Sequence, residues 1–179
     1  MTNKSLSEQI CEEYEIENKN KKILDVCCGS RMFHFDKNNP DVLFMDIRDF
    51  ENTLCDGRKL EIHPDVVADF RNIPFEDNSF SLVIFDPPHL LKVGQNSWLC
   101  KKYGKLSETW PTDIKEGFDE CMRVLKPNGT LIFKWATRDI KLKQILDVIK
   151  VRPIIFHKNN NTFFLVFFKQ SIKNEQWEI

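Results

Sequence analysis

The sequence predicts an open, mostly parallel α/β sheet with helices on both faces and an antiparallel C-terminal hairpin. Three observations predict it. Short apolar runs of buried-strand type alternate with helical or loop segments. Four of those runs carry or meet an aspartate at or beside their C-terminal end. The last two runs are separated only by Asn159-Asn160-Asn161, a turn signal that joins antiparallel neighbours.

The elements follow in order. Ser5 to Tyr14 has the pattern of an N-terminal helix, with Ser5 as cap and Glu8 three residues on. Ile23 to Cys27 is the first buried-strand run, Val42 to Met45 the second, ending at Asp46. Asp65 to Asp69 is the third, and Ser81 to Phe85 the fourth, ending at Asp86. Leu54 to Leu60 forms a small hairpin around Asp56-Gly57, between the second and third strands. Trp110 to Leu125 has helical spacing through Ile114, Phe118, Cys121 and Met122, and stops at the turn Lys126-Pro127-Asn128-Gly129. Thr130 to Trp135 is the fifth strand, and Asp139 to Ile149 a further helix. Ile154 to His157 and Thr162 to Lys169 are the two arms of the terminal hairpin.

A chain of 179 residues and 21.2 kDa, 41% apolar and 30% charged, is expected to form a single domain over 1–179 with one sizeable core. Residues 1–20 are expected to hold its N-terminal helix and 90–110 its substrate loop. The longest apolar run, Phe163 to Phe168, is far too short to cross a bilayer. Met1 to Gln9 lacks the apolar centre of a signal peptide, so a cytoplasmic protein with no membrane partner is expected. A net charge of −1 gives no general hold on nucleic acid, and any such contact needs a local patch. The six cysteines read as free thiols acting as small apolar residues. Cys55, His63 and Cys100 carry no metal-ligand spacing, and no metal is expected.

An open sheet binds ligands at the carboxyl ends of its strands, beside the switch in strand order. Asp25-Val26-Cys27-Cys28-Gly29-Ser30 lies at such an end, and taken alone reads equally as a ligand loop or an ordinary strand-to-helix turn. Its single glycine, with Arg31 where a second would stand, counts against a dinucleotide pyrophosphate. Asp46, 21 residues after Asp25, has the spacing of an acid that hydrogen-bonds a ribose diol, with Ile47 beside it. Asp69-Phe70 could pair an acceptor for an amino group with an apolar wall against a ring. Asp86-Pro87-Pro88-His89 carries the most information. Two prolines after a buried strand donate no amides and stiffen the turn, holding the Asp86 carboxylate and the next carbonyl as fixed acceptors. Two such acceptors suit an NH2 group, and His89 can stack on a flat ring.

These residues resemble the class I S-adenosylmethionine-dependent methyltransferases, and among them the amino-methyltransferases with a D/N/S-P-P-aromatic motif. The resemblance spans about 23 to 169 and includes Arg123-Val124-Leu125-Lys126-Pro127-Asn128-Gly129-Thr130-Leu131. It implies a Rossmann-like seven-stranded sheet whose last strand but one in space is antiparallel. It also implies that S-adenosyl-L-methionine is the cofactor. Asp25 and Gly29 would line its methionine end, Asp46 its ribose, and Asp69 with Phe70 its adenine; Cys27, Cys28, Ser30 and Ile47 are further expected cofactor contacts, the two cysteines either touching the cofactor or flanking it. Asp86, Pro87, Pro88 and His89 would hold the acceptor nitrogen. Here one glycine stands in the first motif, and His89 stands where Tyr, Phe or Trp is usual.

The expected activity is methyl transfer to an exocyclic amino group of a nucleic-acid base, DNA adenine N6 favoured. Transfer to RNA, protein or a small molecule, and a non-catalytic binding module, are the alternatives. Leu90 to Leu106 carries four lysines and no acid, interleaved with aromatics. Lys92, Trp98, Lys101, Lys102, Tyr103 and Lys105 are the expected nucleic-acid contacts. Target choice then falls to this loop, to 52–63, or to a protein partner.

Overall fold

The computed structural model describes residues 21–54 and 56–170. The expected N-terminal helix lies outside them. Seven strands form the main sheet: β1 (Ile23–Asp25), β2 (Val42–Asp46), β5 (Val66–Val67), β6 (Phe80–Phe85), β7 (Leu125–Ala136), β8 (Ile155–Asn159) and β9 (Thr162–Phe168). Their order in space is β5-β2-β1-β6-β7-β9-β8. All neighbours are parallel except at β9, which runs antiparallel to both β7 and β8. The order reverses direction at β1, which sits between β2 and β6, so the ligand-binding crevice falls at the ends of those three strands.

One face is apolar across the strands from β2 to β9. Leu24, Val83, Leu131 and Phe167 stand in register across four neighbouring strands, and all are buried. Helix α2 (Trp110–Val124) packs Ile114, Phe118 and Cys121 into this cluster, and α3 (Leu142–Ile149) adds Ile145 and Ile149. The ring of Phe118 meets Phe167 edge-on at 5.0 Å. The other face carries Asp25, Ile84 and Ile132 in register, with Lys134 two residues on. A second, small cluster of Cys28, Val42 and Phe44 lies there.

Several boundaries differ from the sequence expectation. No helix follows β1; residues 26–41 run through turns. Gly29 (φ 50°) and Arg31 (φ 56°) both occupy the left-handed region, which breaks a right-handed helix at its first turn. Arg31 then fixes the loop, donating to the carbonyls of Lys37 (3.0 Å) and His63 (2.7 Å) and to Asp65 (3.2 Å). The fifth strand starts at Leu125, directly after α2, and not at Thr130. Residues 126–129 bulge from the β6 pairing, while Lys169 closes them by donating to the Gly129 carbonyl and accepting from Asn128. Helix α3 begins at Leu142 because the preceding residues are engaged elsewhere: Asp139 accepts from two amides after β6, and the Ile140 carbonyl accepts from Trp135.

The small hairpin forms as β3 (Phe50–Thr53) and β4 (Lys59–Ile62), which pair with each other and stand apart from the main sheet. It has its own cluster of Leu54, Leu60 and Ile62 with Phe50. The expected substrate loop is not wholly irregular. It contains α1 (Trp98–Tyr103), capped by the Ser97 hydroxyl, which accepts from the Cys100 amide at 3.2 Å. No helix of the described residues is long and apolar enough to cross a membrane.

Candidate functional site

A cavity of about 530 Å3 opens at the carboxyl ends of β1, β2 and β6. Its size is in the range of roughly 300–1,000 Å3 usual for small-molecule and cofactor sites. Asp25, Cys27, Cys28, Gly29, Ser30, Asp46, Ile47, Phe70, Asp86, Pro87, Pro88 and His89 all line it, as do Lys102, Tyr103 and Lys105 from the substrate loop. Residues from five separate stretches of sequence therefore converge on one space. Asp69 stands apart. It is not in the lining, because its carboxylate turns to Arg71, whose other nitrogen reaches Asp113 at 2.9 Å. Ala68 and Phe70 form that wall instead. Lys92, Trp98 and Lys101 also lie outside the cavity lining; Lys92 gives its amide to Asp139, and Trp98 opens α1 on the surface.

Asp25 is fully buried at the base of the cavity. His34 Nε2 sits 2.7 Å from its Oδ2, and the Cys27 amide donates to Oδ1. Burial raises the Asp25 carboxyl above the ordinary carboxylate range. Burial also pushes both neighbouring thiols up, Cys27 and Cys28, with the nearby aspartates adding to it. The two cysteines are thus neutral walls, not nucleophiles.

Asp46 is the most heavily bonded group of the site. Its Oδ2 accepts from the Gly29 amide at 2.9 Å and from Arg48 Nη2 at 3.1 Å. Its Oδ1 accepts from the Arg48 amide at 3.0 Å and Arg48 Nε at 2.9 Å. Four donors saturate the roughly four lone-pair sites of a carboxylate. Arg48 Nη1 continues to the Lys101 carbonyl at 3.1 Å, tying the substrate loop to the end of β2.

At the end of β6, Lys134 donates from Nζ to Asp86 Oδ2. Burial raises the Asp86 carboxyl, an effect that the Lys134 ammonium opposes. Burial also holds His89 below the ordinary histidine range, so its ring is neutral near pH 7. The His89 ring approaches Tyr103 (5.8 Å) at a tilt and Trp135 (6.4 Å) edge-on. Two glycines allow the close approaches that frame the site. Gly104, at φ 72°, lies against Pro88, where a Cβ would stand 2.8 Å from Cγ. Gly117 on α2 leaves room for Phe70, where a Cβ would stand 2.9 Å from Phe70 Cε2 and Phe85 Cζ.

Sequence reasoning missed His34, Arg48 and Lys134. For Arg48 a signal was present. Asp46-Ile47-Arg48, Asp56-Gly57-Arg58 and Asp69-Phe70-Arg71 repeat one pattern, and in each the aspartate accepts from the arginine's own amide and from its Nε. Among the described residues no cluster of three potential ligands could hold a metal ion, and Cys27, Cys28, Cys100 and Cys121 are free thiols.

No family model matches the chain. It is 26% identical over 157 residues to the biotin biosynthesis bifunctional protein BioHC of Saccharophagus degradans, a match covering 76% of this chain. The chain spans only 24% of that relative's length. The PH0226 protein of Pyrococcus horikoshii superposes with a TM-score of 0.52 at 18% identity, covering 94% of this chain and 93% of that one. The two share a fold. A SAM-dependent methyltransferase of Methanosarcina mazei superposes at a TM-score of 0.48 and 14% identity, covering 87% and 96% of the two chains.

Proposed function

We propose that the chain is an S-adenosylmethionine-dependent methyltransferase that transfers methyl to an exocyclic amino group of a nucleic-acid base, DNA adenine N6 foremost. The observation that carries this reading is the convergence of the ends of β1, β2 and β6, with the Asp86-Pro87-Pro88-His89 turn, on one cavity.

The lining fits the cofactor by its chemistry. Gly29 and Ser30 leave the backbone open beside Asp25 for the amino-acid end, Asp46 becomes an acceptor for a diol once the Arg48 guanidinium gives way, and Ala68 with Phe70 is an apolar wall for a base. Phe70 takes the place in that wall which the sequence had shared with Asp69. When bound, the cofactor supplies an activated methyl group, and the protein's part is geometry. Asp86 and the Pro87 carbonyl accept from the acceptor amino group, which favours its pyramidal form and leaves its lone pair available. Pro87 and Pro88 hold those acceptors still. Lys134 fixes one Asp86 oxygen and leaves Oδ1 for the acceptor. His89, neutral and backed by Trp135, offers a flat face to a base extruded from its stack. The methylated nitrogen is acidic enough to lose its proton to water or Asp86, so no strong base is needed.

A second reading, transfer to a small acidic molecule, draws on one observation. The Lys134 ammonium lines the cavity beside Asp86 and would attract an anionic acceptor. The name of the relative in biotin biosynthesis accords with a small-molecule acceptor. Incubation with labelled cofactor and DNA or RNA, followed by nucleoside digestion, separates the readings. Labelled N6-methyladenine is the expected product; labelled small molecules with no labelled nucleoside would overturn the base assignment.

A further inference from the structure

Beside the first cavity lies a second, of about 570 Å3, between the loop 29–38 and the β3–β4 hairpin. The two share Gly29, Ser30, Met32 and Lys102 as a common wall, so they adjoin. The lining of the second is strongly cationic: Arg31, Lys37, Arg58, Lys59 and Lys102 face a single carboxylate, Glu61. These cations fall into two groups. Arg31 is bound to Asp65 and Arg58 to Asp56, and both serve the structure of the walls. Lys37, Lys59 and Lys102 have no carboxylate partner among the described residues; Lys102 only overlies the Tyr103 ring at 5.0 Å.

The hairpin is what brings the first two lysines together. A two-stranded ribbon that does not join the sheet is marginal by itself. This one is held by its own apolar cluster, by Arg31 at the His63 carbonyl, and by His63, which reaches Asp49 (2.8 Å) and Glu51 (3.2 Å). It brings Lys59 into the same cavity lining as Lys37. Concave cationic walls focus field lines and raise the local concentration of an anion. Ammonium groups on flexible stems act as point charges, which suit phosphate oxygens without demanding one fixed geometry.

We propose that this second cavity is a phosphate-binding channel that takes the phosphodiester backbone of single-stranded DNA, with Lys37, Lys59 and Lys102 as its contacts, leading the strand to the base site at His89 and Tyr103. It rests on the reading of the first cavity as a base-methylating site. It gives the hairpin a role that its pairing and sequence leave unassigned.

The test uses anisotropy of a fluorescein-labelled single-stranded oligodeoxynucleotide from 50 to 200 mM salt, on the wild type and on the double variant Lys37→Gln/Lys59→Gln. Both lysines are exposed, so the fold is expected to tolerate the change. Two lost phosphate contacts flatten the slope of log K against log salt by about 1.4, which is roughly 25-fold weaker binding at 0.1 M salt. Calorimetry with S-adenosylmethionine on the same samples is expected to give equal affinities. Unchanged DNA affinity and slope in the double variant would overturn the channel and leave the methyltransferase reading standing. Binding of inorganic phosphate but of no oligonucleotide would overturn the phosphodiester assignment, as would lysine-dependent binding confined to RNA. A wild type that binds the oligonucleotide but no S-adenosylmethionine would instead defeat the proposed function.

Discussion

Arg48→Ala separates the two things that Arg48 does. Its guanidinium supplies two of the four donors on the Asp46 carboxylate and tethers the Lys101 carbonyl. Asp46 is 3% exposed, whereas the Arg48 side chain is 24% exposed. Losing one partner of a fully buried pair costs about 3–5 kcal/mol, and losing an exposed pair about 0–1 kcal/mol. Asp46 also keeps the Gly29 and Arg48 amides, so about 2 kcal/mol of lost stability is expected, or a fall of roughly 4–8 °C in Tm for a chain of this size. Cofactor binding moves the other way. A ribose diol can bond to Asp46 only by displacing the guanidinium, since no lone pair is free. Each displaced side-chain hydrogen bond is worth about 1 kcal/mol net. Removing the competitor therefore tightens S-adenosylmethionine binding by about 10- to 30-fold. Thermal unfolding and calorimetric titration of the variant read both numbers. A destabilised variant with equal or weaker affinity would refute the reasoning and make Arg48 part of the binding surface.

Three other substitutions test neighbouring parts. Asp86→Ala should retain cofactor affinity and abolish methyl transfer; unchanged turnover would remove Asp86 from the mechanism. Gly117→Ala gains about 1 kcal/mol of helix propensity, but drives a methyl into Phe70 and Phe85, an overpacking cost of about 1–3 kcal/mol. A net loss of stability together with weaker cofactor binding is expected, and normal binding would show that Phe70 is not its wall. His89 is held neutral by burial, so its contribution to stability is complete above its ordinary value of 6.5 and is lost as pH falls below that. The Tm of His89→Asn should accordingly fall less steeply than that of the wild type between pH 7 and pH 5, and parallel profiles would contradict the assignment. Asp25 and Asp86 act with the opposite sign, their raised values costing stability as pH rises above the ordinary carboxylate value of 3.8.

Much of the fold was legible because burial leaves a direct mark on a sequence. Val42-Leu43-Phe44-Met45 and Leu82-Val83-Ile84-Phe85 are unbroken apolar runs, as strands covered on both faces require. The turn at Asn160, at φ 52°, was visible as a run of asparagines, a residue that tolerates the left-handed region. The carboxylates at the strand ends were legible for the same reason, since they interrupt apolar runs.

What was not legible depends on partners distant in sequence. That Lys134 meets Asp86 follows from the β6–β7 register, and lysine in a strand has no pattern that reveals it. That no helix follows β1 depends on Arg31 finding acceptors at His63 and Asp65, some thirty residues away. Asp69 was read from its place in a series of strand-end acids, and its own neighbour Arg71 withdraws it from the cavity. The repeated Asp-x-Arg pattern is the one local signal that would have shown that Asp46 and Asp69 each hold an arginine partner.

The central claim is that the first cavity is built for a sulfonium nucleoside. Parallel calorimetric titrations of the wild-type chain with S-adenosylmethionine and with NAD test it most directly. Saturable one-to-one binding of S-adenosylmethionine and no heat with NAD is the expected result. Heat with NAD alone, or with neither, would contradict it.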